Sequence, residues 1–214
     1  MIVSRTHTYD LMVTWTGNRG TGTSGYRDYD RDHDVAVEGR AAIAGSSDPA
    51  FRGDPTRWSP EQLLVASLSQ CHLLWYLHLA AVAGVVVTGY VDNAGATMIE
   101  DGDGGGRFVE AVLRPAVIVT EPSMLEPARR LHREASARCF IANSVNFPVR
   151  HEATVAVANG VAVAGDASIT VLTTNRVEGF PKGGASPADE VRPPAPEYLR
   201  PSGLRSKQSS QGFR

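Results

Sequence analysis

The sequence is short of cysteine, of excess charge and of uninterrupted apolar runs, and each shortage closes off a class of protein. Only two cysteines, Cys71 and Cys139, occur among 214 residues. They lie too far apart to form a local zinc knuckle or a CxxC couple, though they could meet in space as an attacking and a resolving sulfur. The formal net charge is −2, which withholds the positive field that a nucleic-acid surface or a polybasic membrane patch requires. Neither nucleic acid nor membrane is therefore expected as a partner, and small-molecule chemistry is the default. The longest apolar stretch is broken by Ser67, Ser69, Gln70, His72 and His78, short of the roughly 18 clean residues of a spanning helix. Arg5, His7 and Asp10 stand where a signal peptide would carry its apolar core. A cytoplasmic protein is expected, in a compartment where a cysteine pair is more often catalytic or redox-active than structural.

What the chain does have is a core: 42% of its residues are hydrophobic, enough for one domain at this length. Its centre is the stretch from Ser59 to Gly84. Ser59 reads as an N-cap, Pro60 as the first helical residue, and Gln62 completes a capping box. Gly84 can take the left-handed conformation that ends the helix. The residues between are apolar on nearly every face, which predicts a helix buried on several sides, with Cys71 in its middle. A second helix is predicted over Ser123 to Arg138, interrupted only early by Pro127, with Cys139 at its end.

Strands are expected at Tyr9–Thr16, Val35–Val37, Ala41–Ile43, Val85–Val91, Ala96–Ile99, Phe108–Leu113 and Pro148–Val157. The first of these runs into the Gly17–Gly22 turn cluster of a hairpin. Val85 to Leu113 reads as a meander whose tip, Glu100 to Gly106, lacks the Lys-Ser/Thr of a phosphate loop. Strands, long helix, strands, helix, strand is an α+β order, with antiparallel sheets packed on a long central helix. The folded domain is placed at residues 1–158. Residues 159–214 carry Pro181, Pro187, Pro193, Pro194, Pro196 and Pro201 among Ser, Gly and charge, the composition of a disordered tail, with Ile169–Leu172 as one more candidate strand.

Ser59-Pro60-Glu61-Gln62-Leu63-Leu64 with a cysteine ten residues after the glutamate, and the later Cys139-Phe140-Ile141-Ala142-Asn143-Ser144, resemble the two signatures of the OsmC/Ohr family, the osmotically inducible and organic hydroperoxide resistance proteins. Trp15-Thr16-Gly17 and Gly20-Thr21-Gly22-Thr23 extend the likeness over about residues 9–157. The match is nearest to a branch carrying Gly45-Ser46-Ser47-Asp48-Pro49-Ala50-Phe51-Arg52-Gly53-Asp54 before the helix. The resemblance implies an intertwined α+β homodimer with active sites at the subunit interface, and thiol-dependent reduction of organic hydroperoxides and hydrogen peroxide. A partner subunit would also cover a helix too uniformly apolar to present a solvated face in a small monomer.

The chemistry itself asks for few groups. A thiolate attacks the terminal peroxide oxygen, expels an alkoxide and becomes a sulfenic acid; a second thiol condenses with it to a disulfide and releases water. Burial raises a thiol's pKa, so a fixed cation must offset that penalty, and arginine, always charged and able to donate to both sulfur and peroxide oxygen, suits best. Cys71 is the attacking thiol by the motif match and Cys139 the resolving one. The resemblance places the cation before the helix, where Arg31 and Arg52 both qualify, with Arg31 preferred, and makes Glu61, which matches the family's glutamate, the candidate to orient it. No bound cofactor is required, because an external dithiol supplies the electrons. Against this stand a small-molecule binding module in which the cysteines only pack, a zinc site drawn from Cys71, His72, His78, His132 and Cys139, and a Cys/His hydrolase using His33 or His151. The zinc site is disfavoured because neighbouring helical residues point about 100° apart, and the hydrolase lacks an oxyanion motif. Trp58, Trp75 and Tyr76 are expected in the core and the wall of a substrate pocket.

Overall fold

The computed structural model describes residues 5–102 and 104–158; the candidate strand Ile169–Leu172 and the proposed tail lie outside them. Nine strands and two α-helices run β1 (Met12–Trp15), β2 (His33–Ala36), β3 (Ile43–Gly45), α1 (Pro60–Val82), β4 (Val87–Asp92), β5 (Gly95–Glu100), β6 (Gly106–Leu113), β7 (Pro115–Val119), α2 (Leu125–Arg138), β8 (Val149–His151) and β9 (Thr154–Val157) among the described residues.

Helix α1 begins where its sequence dictates. The Ser59 hydroxyl accepts from the Gln62 amide at 3.2 Å and the Ser59 amide donates to Gln62 Oε1 at 3.0 Å, so two otherwise orphaned donors are satisfied, a device worth about 1 kcal/mol. The helix ends at Val82, with Gly84 at φ 71° beyond it. By length and composition α1 could cross a membrane. Its contacts are those of a core helix: Leu68, His72, Tyr76, Leu79 and Ala80 are buried within this one chain. The other faces are less covered than the sequence suggests, with Leu74 66% and Val82 73% exposed.

Two three-stranded sheets, β4-β7-β9 and β5-β6-β8, repeat one plan. In each, the central strand pairs antiparallel with one neighbour and parallel with the other. The strands also continue from one sheet into the next, β4 into β5, β6 into β7 and β8 into β9, through the short links Asn93–Ala94, Arg114 and Glu152–Ala153. The two sheets are therefore halves of one surface creased across all its strands. Arg114 holds the crease: its amide donates to Asp92 Oδ1 at 2.7 Å, its Nε to Glu152 Oε2 at 3.0 Å and its Nη1 to the Asn93 carbonyl at 3.4 Å.

This arrangement corrects three expectations and adds one strand. Val85–Leu113 is not a meander, because β4 pairs with β7 while β5 pairs with β6. Pro148–Val157 is two strands, the chain bending at Glu152, whose amide donates to the Leu113 carbonyl at 2.8 Å. The sheets are mixed rather than wholly antiparallel. Strand β7 had no counterpart in the sequence reading, since Pro115 looks like a break although proline is tolerated at the first residue of a strand.

Helices α1 and α2 pack on the β4-β7-β9 half, where Tyr76, Leu79 and Ala80 meet Val117, Val119, Val155, Ala128, Leu131 and Ala135. Further back along α1, Leu68 packs on the other half with Ala111 and Leu113. Pro127 causes no kink because it lies in the first turn of α2, where its missing amide has no helical acceptor to lose.

Strands β1, β2 and β3 form a separate antiparallel sheet that leaves Leu11, Met12, Val13, Trp15 and Ile43 exposed. Trp58, expected in the core, is 51% exposed; its backbone pairs with Ala44 and Ser46 at the edge of this sheet. Gly17 is required here, since a Cβ would stand 2.0 Å from the Asp30 carbonyl oxygen. The Ser46–Asp54 segment folds into a capped turn: Asp48 Oδ1 accepts from the Ala50 amide at 2.8 Å, and Arg52 closes the turn in the left-handed region at φ 68°.

Candidate functional site

Cys71 sits on α1 and Cys139 is the C-cap residue of α2, so the packing of the two helices brings together thiols that are far apart in sequence. Cys71 is half-buried and Cys139 buried, both as free thiols. The two thiols lie close enough to interact. Burial, and then the neighbouring Cys71 thiol, push the Cys139 thiol up to about 11. Cys139 thus keeps its proton at neutral pH. Cys139 sulfur accepts from the Ala142 amide at 3.4 Å, in the turn that follows it.

The other candidates are dispersed within one chain. Glu61 lies in the first turn of α1, ten residues before Cys71, which at helical rise is about 15 Å along the axis. Its Oε2 is buried and has no hydrogen-bond partner. Arg31 donates to the carbonyls of Tyr29 (2.7 Å) and Tyr26 (2.9 Å) and lies over both rings, at 4.2 and 4.4 Å from their centroids. Arg52, the other candidate, reaches the same Tyr26 ring at 5.8 Å. Among the described residues neither guanidinium bonds to Cys71, Cys139 or Glu61. Arg57, not considered from sequence, faces Asp32 (3.2 Å), Asp34 (3.6 Å) and Asp54 (3.8 Å); its charge is already answered.

Beside the thiols the structure assembles a group that the sequence reading considered only as fragments. His72 Nε2 lies 3.1 Å from His132 Nδ1, His151 of β8 stands 5.0 Å from His72 between ring centroids, and Tyr76 stacks on His132 at 4.2 Å. Burial holds His72 down to about 4 and His132 to about 3, and depresses His151 as well. All three are neutral at neutral pH. Of the imagined zinc set, His78 is exposed and packs edge-on against Trp75. Among the described residues no three His, Cys, Asp or Glu side chains are disposed to hold a metal ion. The signal that could have revealed the cluster was the presence of histidines at otherwise apolar positions of two helices and a strand. Tyr76 is fully buried as expected, whereas Trp75 is half-buried between Phe140 and His78, and Phe140 is 70% exposed.

A family model described as OsmC-like protein matches residues 53–154. The chain is similar to a solved OsmC-like protein of unknown function from Vibrio cholerae, at 30% identity and a TM-score of 0.62, covering 69% of this chain and 99% of that one. It shares its fold with an OsmC-like protein from Mycoplasma pneumoniae at 14% identity and a TM-score of 0.54, over 70% of this chain and 98% of the other. The same holds for an organic hydroperoxide resistance protein from Elizabethkingia anophelis at 18% identity and a TM-score of 0.52, over 72% of this chain and 100% of the other. No curated protein matches the sequence.

Proposed function

The chain belongs to the OsmC-like protein family, and on that premise we propose that it is a cysteine-based peroxidase acting on organic hydroperoxides. The observation that carries this is that the only two thiols of the chain meet where α1 packs on α2, with burial keeping Cys139 protonated. Cys71 thiolate attacks the terminal peroxide oxygen; the O–O bond breaks, the alkoxide leaves and takes up a proton, and Cys71 becomes a sulfenic acid. Cys139 then attacks that sulfur, a disulfide forms, and its proton leaves with the hydroxide as water. An external dithiol returns both sulfurs to the thiol state. Hydrogen peroxide follows the same course with water as the first product. A reducing cytoplasm suits such a cycle.

The reading extends to a homodimer. A carboxylate about 15 Å along the same helix cannot orient a cation against Cys71, so Glu61, and the arginine it holds, would serve the thiols of a second copy. The unpartnered Glu61 Oε2 awaits that arginine, Arg31 or Arg52. The apolar residues left open on β1, β3 and α1 are the surface a second copy would cover.

Thiol titration before and after one equivalent of tert-butyl hydroperoxide tests the reading. Both thiols of each chain are expected to disappear, and Cys71→Ser to abolish turnover. An unchanged titration, with stoichiometric uptake of an apolar ligand instead, would identify a binding module.

A further inference from the structure

The buried imidazoles have no part in the peroxidase cycle, yet they occupy the seam between the two thiol-bearing helices. His72 directly follows Cys71 on α1, and His132 lies two turns before Cys139 on α2. Across this seam α2 presents Ala128, Leu131 and Ala135 to Tyr76, Leu79 and Ala80. Contacts of this kind are non-directional, whereas a hydrogen bond ties one particular atom of each helix to the other. A disulfide, by contrast, needs its two Cβ atoms about 3.5–4.5 Å apart, so a slip of an ångström or two along the seam separates the sulfurs. Directional bonds across it are few. Tyr76 hydroxyl donates to the Ala128 carbonyl at 3.2 Å, and His72 Nε2 meets His132 Nδ1 at 3.1 Å, one nitrogen donating and the other accepting.

The rings have little else to hold. His132 Nε2 and His151 Nε2 are buried with no partner. The neighbouring polar groups are engaged elsewhere or orphaned too: Asp92 on β4 accepts from Ser69 at 2.6 Å, and the Tyr90 hydroxyl of the same strand is unpaired. Burying polar nitrogens in an apolar seam costs free energy, and the bond made in return runs from α1 to α2.

We propose that the His72–His132 hydrogen bond is the register lock of the thiol pair, a positioning device that keeps Cys71 and Cys139 within disulfide-forming distance. The proposal rests on the reading that these two thiols couple, and its test is independent of peroxide. Diazenedicarboxamide takes two electrons and two protons from the dithiol, its N=N bond becoming a hydrazine N–N bond as the disulfide forms. Closure is followed by mass spectrometry in the wild type, in His132→Asn and in His132→Gln. Both substitutions are polar and of similar size. Asn places its amide where imidazole Nδ1 stood and can meet His72, whereas Gln carries its amide out toward the Nε2 position and cannot.

His132→Asn is expected to close within about threefold of the wild type, and His132→Gln about tenfold more slowly, the factor for one lost hydrogen bond. A helix-packing role without register control would slow both alike. Equal rates in the two variants, or the reverse order, overturn the lock. If either substitution fails to fold, His72→Gln, which keeps an amide at the Nε2 position, is compared with His72→Asn, which does not; the first is then expected to be the faster, and equality overturns the proposal. A wild-type chain that closes no disulfide overturns the coupling reading and the lock with it, whereas equal closure in all proteins overturns the lock alone.

Discussion

Acid should destabilise this fold well before its carboxylates titrate. The ordinary imidazole value is 6.5, while folded His72 lies at about 4 and His132 at about 3; desolvation is the first cause in both, because a charged ring has no water in the α1–α2 seam. The folded-state values are depressed, so the unfolded chain takes up protons first. Their stabilising effect is thus complete above about pH 6.5 and declines as pH falls toward the folded values. At pH 5 an unfolded ring is about 97% protonated, while both folded rings remain essentially neutral, so the outcome is insensitive to how the two divide a shared proton. Each ring then forfeits about 2 kcal/mol relative to pH 8, and the pair about 4 kcal/mol. That is a large share of the 5–15 kcal/mol typical of a domain. Urea denaturation of the reduced protein at a fixed concentration, at pH 8, 6.5, 5.5 and 5, measures the loss at constant m. A decline below about 1 kcal/mol would refute the reasoning. So would an equal decline in His72→Gln/His132→Asn, which lacks both titrating groups.

Two further outcomes follow from the first turn of α1. Ser59→Ala removes the hydroxyl that accepts from the Gln62 amide and should cost about 1 kcal/mol in the same urea assay, with Ser59→Gly costing less; no change would mean that the capping box is idle. Glu61→Gln leaves the helix intact but removes the charge whose Oε2 is unpartnered in one chain. Peroxide turnover should fall tenfold or more without loss of thermal stability, and retained turnover would remove Glu61 from the site.

Helix α1 was legible because its start is written in local chemistry: serine, proline and glutamine at fixed offsets need no knowledge of the rest of the chain. The likeness that singled out Cys71 and Cys139 was equally local, and the two helices do bring these side chains together. The strand pairing was not legible. Period-two alternation runs without interruption from Pro148 to Val157, and nothing in it marks the bend at Glu152 that divides β8 from β9. Strand β7 was hidden by Pro115, a residue that reads as a breaker and here opens a central strand. The arginine stayed undecided for a different reason. Arg31 and Arg52 converge on the same tyrosine, and among the described residues neither guanidinium reaches a thiol or Glu61. The histidine seam was hidden because scattered histidines suggest metal ligation before they suggest a bond between two neutral rings.

The crease at Arg114 also governs where this architecture can change in length. Each of the three chain segments crosses it through one or two residues, and a single guanidinium and its amide reach across to the neighbours. A residue inserted into any one link would rotate everything beyond it to the opposite face while the adjoining segments stayed in step, turning Val117 or Val155 outward. Insertions and deletions are therefore confined to places that no neighbour has to match, such as the exposed residues Asp101, Gly102, Gly104 and Gly105 between β5 and β6, and a peptide grafted there would leave the thiol-bearing helices undisturbed.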